Sequence, residues 1–144
     1  MTYSMRSLIV TLALLAGVIF DATAAELVVI VSARSTAPAL RNDQVAAIFL
    51  GQSAQLPDGA NVTAIDQLVG SATRDEFYAR VAAKSPALLK AYWSKLLFTG
   101  RGQPPREVDG SAAVKKLVAD TPGLIGYIER SALDATVRPV LTVR

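Results

Sequence analysis

Gly70-Ser71-Ala72-Thr73-Arg74-Asp75-Glu76-Phe77 reads as a loop that turns into a helix with its hydrogen-bond donors bunched at the start. Thr73 with Glu76 three positions on has the spacing of a capping box. The hydroxyl accepts from a first-turn N–H while the carboxylate reaches back to the cap's own N–H, which places the helix start near Thr73. Upstream, Asn61 to Ile65 alternates and is rich in β-branched residues, as a short strand is. Strand, glycine-bearing loop and helix together make an anion site. First-turn amides lack helical partners and the macrodipole leaves partial positive charge there. An oxyanion so placed would meet the backbone amides of the first turn, the Ser71 and Thr73 hydroxyls, and the Arg74 guanidinium. The same residues also suit a helix start that holds only water, since Asp75 and Glu76 already set negative charge against the dipole.

Downstream, the helix is expected to run to about Lys84 and to bury Phe77 and Val81. Ser85 caps the next one, with Pro86 at the first helical position. That helix carries Leu89, Tyr92, Trp93, Leu96 and Leu97 at three- and four-residue spacing, a broad apolar stripe in which Trp93 and Tyr92 read as core. Phe98 to Arg106, with two glycines and two prolines, is the most loop-like stretch. Its Arg101 and Arg106 either cover an anion held at Ser71 and Thr73 or are simply solvated. Asp109 or Ser111 starts a further helix that Pro122 and Gly123 stop. Leu124 to Ile128 is a strand whose Gly126 points to a close backbone approach. Val137 to Val143 reads as an edge strand that tolerates Pro139.

Upstream, Glu26 to Val31 is a continuous run of mostly β-branched residues, as expected of a strand buried on both faces. Ser32 follows at its carboxyl end, where open α/β sheets usually keep ligands, and is a secondary candidate beside Gly70 and Arg101. Asn42 caps a short helix with Val45, Ile48 and Phe49 on one face, and Gly51 ends it as a left-handed C-cap does.

Length and composition narrow the class. The 144 residues, 51% hydrophobic and 19% charged, suffice for one core. Arg6, the apolar run Leu8 to Phe20 and the small-residue site at Ala22 to Ala25 read as a secretory signal peptide over residues 1–25, too short for a membrane span. Residues 26–144 then form a single exported domain with no span. The chain contains no cysteine and no histidine, so disulfides, thiolate or imidazole metal sites and His-dependent catalysis are excluded. Nor is there a Ser-x-x-Lys spacing, and an enzyme is not expected. No metal or cofactor is expected either. Fifteen cations against twelve carboxylates give +3, a balance that suits a small anion and shows no basic stripe for nucleic acid.

Helices alternating with strands indicate an α/β fold: an open mixed sheet of about four to five strands with helices on both faces. Four stretches carry a family likeness. Ala47-Ile48-Phe49-Leu50-Gly51, then Gly70 to Phe77, then Phe98-Thr99-Gly100, then Thr121 to Tyr127 resemble, in order and spacing, the phosphate-binding component of bacterial phosphate ABC transporters. The resemblance implies one lobe of a type II periplasmic binding protein. It also implies phosphate contacts from a Ser-Gly-Thr at a helix start, matched here by Ser71, Ala72 and Thr73. Two positions depart from the pattern: Ala72 replaces the glycine, and Gln67 stands where the family often has an arginine.

The likeness covers a single lobe, so an isolated site of this kind should hold phosphate or a related oxyanion at about millimolar affinity. A homodimer or a second protein would complete the cleft, and an ABC permease is the transport partner the resemblance implies. The competing expectation is a periplasmic protein-interaction or sensing module derived from that lobe, without ligand binding.

Overall fold

The computed structural model describes residues 25–144, so the expected signal peptide, Ala25 apart, lies outside the described residues. The chain order is β1 (Leu27–Ser32), α1 (Asn42–Phe49), β2 (Thr63–Gln67), α2 (Ala72–Ala82), α3 (Pro86–Phe98), β3 (Arg106–Val108), α4 (Gly110–Asp120), β4 (Leu124–Glu129), a 3-10 turn (Arg130–Ala132) and β5 (Val137–Val143). The strands form one sheet in the order β3-β2-β4-β1-β5. β2 lies parallel to both β3 and β4, while β1 runs antiparallel to both β4 and β5. An open five-stranded mixed sheet is therefore what the sequence pattern indicated.

β1 is buried along its whole length because both faces of the sheet are covered. Leu27, Val29 and Val31 face the core shared with Phe49, Phe77 and Trp93 from α1, α2 and α3. Val28 and Ile30 face the smaller core built with Val114 and Val118 of α4. Alternation within one β-branched run thus feeds two cores. α4 comes close to the sheet because Gly126 of β4 has no side chain there. A Cβ on Gly126 would sit 2.5 Å from Val114 Cγ1, so the close approach expected of this glycine is real.

The strand directions bear on function. β1 opposes its neighbours, so Ser32 pairs at the end of the sheet where β4 begins, whereas the loop into α2 leaves the other end. At the two edges the treatment differs. β5 is covered by the segment before α1, through Leu40 N–H donating to the Val140 carbonyl at 2.9 Å and Arg138 donating to the Ser35 and Ala37 carbonyls at 2.8 Å. β3 pairs with β2 alone. Among the described residues no helix is long and apolar enough to cross a membrane.

Candidate functional site

β2 delivers the chain to the start of α2 through Leu68, Val69 and Gly70, the last at φ +91°, a left-handed conformation that suits glycine. Ser71 is the N-cap, and its Oγ accepts from Arg74 N at 3.3 Å. This corrects the expected boundary: α2 begins at Ala72, and Thr73 lies inside the first turn. The reason is backbone geometry, since Ser71 keeps extended angles (φ −68°, ψ 130°) directly after the turn at Gly70. Glu76 is not part of a capping box; it pairs with Arg80 one turn on. Ala72 is exposed at a helical position without positive φ, so its methyl carries no backbone strain.

Several donors expected to face an anion are already engaged. Thr73 Oγ1 donates to Glu129 Oε1 at 3.2 Å. Val69 N–H donates to Glu107 Oε1 at 2.7 Å. Arg74 is buried, its Nε 3.3 Å from Asp66 Oδ2, with its guanidinium carbon 5.2 Å from the centre of the Tyr78 ring. The donors at the α2 start left without a partner among the described residues include the amides of Gly70, Ala72 and Thr73 and the Ser71 hydroxyl proton.

Asp66, which the residue pattern did not single out, organises this end of the sheet. Fully buried, it accepts four hydrogen bonds: Tyr127 Oη at 2.5 Å and Gln67 N at 2.8 Å on Oδ1, Tyr78 Oη at 2.7 Å and Arg74 Nε on Oδ2. A buried carboxylate persists only when so satisfied. Burial and the Asp66 charge push both tyrosine pKa values well above the usual range. The Tyr127 ring is fixed in turn by stacking on Phe77 at 3.8 Å between centroids. Gln67 is buried beside this group and donates to the Tyr127 carbonyl at 3.1 Å. The side chain at the position where the resemblance expects an arginine is therefore turned into the core. An aspartate directly after the mostly apolar stretch Val62 to Ile65 and just before Leu68 and Val69 was the available signal for a paired buried charge.

The secondary candidates do not join Ser71. Ser32 is buried at the opposite end of the sheet and its Oγ donates to the Ala119 carbonyl at 3.2 Å, a bond that ties β1 to the end of α4. Arg101 is exposed on the turn that closes α3, its N–H donating to the Leu96 carbonyl at 2.9 Å. Ser71, Ala72, Thr73 and Gly70 are contiguous at one helix start, with Arg74 behind them against the core. Among the described residues no group of three or more carboxylates could hold a metal.

No family model matches the chain, and no curated protein matches it. Solved structures do. A putative phosphate ABC transporter substrate-binding protein with bound phosphate from Clostridium perfringens is 26% identical, with TM-score 0.63, over 81% of this chain and 44% of its own. An ABC-type phosphate transport receptor from Vibrio cholerae is 17% identical, with TM-score 0.63, over 81% of this chain and 45% of its own. PstS from Borrelia burgdorferi is 15% identical, with TM-score 0.61, over 81% of this chain and 46% of its own. These neighbours are binding proteins, and the chain spans less than half the length of each. The described domain has the α/β fold of one part of a phosphate ABC transporter substrate-binding protein.

Proposed function

We propose that the chain is an exported solute-binding-like module that holds phosphate or a related oxyanion weakly at the start of α2. The observation that carries this reading is the pair of unpartnered amides of Ala72 and Thr73 beside the Ser71 hydroxyl, in a fold similar to a structure with bound phosphate. Charge-assisted bonds from such donors contribute about 1.5–3 kcal/mol each before desolvation and water competition offset much of it. Glu129 and Glu107 lie close by and oppose a fully ionised anion, so affinity on the order of 1 mM is expected. A second surface, from another copy or another protein, completes the cleft, and an ABC permease is the partner the neighbours suggest. The readout is calorimetric titration of phosphate and sulfate into the protein and into its Ser71→Ala variant. Weak phosphate uptake that Ser71→Ala diminishes supports the reading. No uptake by the wild type at tens of millimolar, about ten times the expected Kd, removes it.

A second reading is favoured by a specific observation. The Val69 amide, the Thr73 hydroxyl and the Arg74 Nε are all engaged by the chain's own carboxylates, Glu107, Glu129 and Asp66. In this reading internal carboxylates stand in for a lost ligand, and the lobe serves as an interaction or sensing module.

A further inference from the structure

A cleft of about 550 Å3 opens between one flank of α3, the loop before α2, and β3; its walls include Val69, Arg74, Trp93, Leu97, Pro104 and Glu107. Of the 13 residues of α3 only Leu89 and Trp93 are buried, so this flank is left without an internal partner. Val69 and Leu97 on its rim are exposed. Among the described residues one buried side-chain donor, Trp93 Nε1 in the cleft wall, has no hydrogen-bond partner, and of the Arg74 guanidinium only Nε is engaged, by Asp66. A buried N–H without an acceptor is costly, and a group that supplies one is favoured there.

Two further features select the occupant. β3 borders the cleft through Glu107, with Pro104 of the loop before it, and has an open outer edge, whereas the β5 edge is covered. The charge around α3 is one-sided: from Phe77 to Arg106 the chain has six cations, Arg80, Lys84, Lys90, Lys95, Arg101 and Arg106, and no carboxylate. Only Arg80 among them has an ion-pair partner among the described residues. Asp75 and Glu107 stand on the far wall, and Glu107 is already engaged by the Val69 amide.

We propose that the cleft and the open edge of β3 together form a docking groove for an extended segment of a partner protein that carries carboxylates and a large apolar side chain. The segment's backbone adds to β3, the apolar side chain covers Val69, Trp93 and Leu97, and a carboxylate meets Arg74 or Lys90. A free aromatic acid would leave the strand edge unused, and a flat anionic membrane would leave the concavity unfilled. The proposal does not depend on an anion at Ser71.

The test is an amide and indole N–H titration of the protein with a blocked hexapeptide alternating Glu and Phe. Saturable shifts at the Trp93 indole, Val69, Glu107 and Val108 are expected, and Leu97→Glu, an exposed change that leaves the fold intact, should weaken binding about tenfold or more. The proposal is overturned by an equal response to a Lys and Phe counterpart, by 3-phenylpropionate giving the full response alone, or by peptide shifts that map elsewhere. It is also overturned if phosphatidylglycerol vesicles, and not the peptide, perturb these residues, or if self-association of the protein occludes them before peptide is added.

Discussion

Arg74 and Asp66 form an ion pair whose side chains are only 7% and 1% exposed, at the point where β2 hands over to α2. The arginine expected to face an external anion is instead fixed by an internal one. Removing one member of a buried pair leaves the other uncompensated, and here Asp66 also satisfies two phenols. Asp66→Ala is predicted to destabilise the domain by about 3–5 kcal/mol in urea denaturation. A loss below about 1 kcal/mol would show that the pair contributes little, as pairs exposed to solvent do.

Ser71 and Thr73 make opposite predictions. Ser71 caps α2, so Ser71→Ala should cost about 1 kcal/mol. The Thr73 hydroxyl serves only the half-exposed Glu129 contact, so Thr73→Val should lie within about 0.5 kcal/mol of the parent. Equal losses in thermal melts would restore Thr73 as the cap.

Gly126 leaves no room for a side chain beneath α4. Gly126→Ala should cost about 1–3 kcal/mol through overpacking. Adding Val114→Ala should recover part of that loss, because it removes the methyl that the new Cβ meets. A double variant less stable than the sum of the singles would locate the strain elsewhere.

Tyr78 and Tyr127 give the domain an alkaline limit. Their folded pKa values are raised, first by burial and then by the Asp66 charge. A raised folded pKa contributes stability that is fully present below the unfolded value, near pH 10, and is lost as the pH rises above it. Urea midpoints should fall steadily above about pH 10 and less steeply in Tyr78→Phe, a comparison that tyrosinate absorbance during the same titration can follow. A flat midpoint to about pH 11 would contradict the burial of these phenols.

Local chemistry made much of the fold readable. Ser85 with Pro86, Asp109 before α4, the unbroken run of β1 and the edge strand with Pro139 all stand where residue chemistry put them. What failed was non-local. The direction of β1 is set by its pairing with β4 and β5, which no periodicity encodes, and that direction carries Ser32 to the far end of the sheet. β3 is three residues long and hides within a proline-rich loop, because its strand character comes from pairing with β2. At the site, the order Ser-Ala-Thr was legible, but the carboxylates that engage its neighbours come from β2, β3 and β4, far apart in sequence. The mild net charge of +3 likewise concealed the acid-free stretch around α3.

The most direct measurement is the chemical shift of the Ala72 and Thr73 amides as phosphate is raised to about 50 mM at constant ionic strength, far above the millimolar affinity expected of a lone lobe. Saturable downfield movement of these two signals, larger for phosphate than for chloride, is the predicted result. Amides that stay in place while the rest of the spectrum is unchanged would mean that the start of α2 holds no anion.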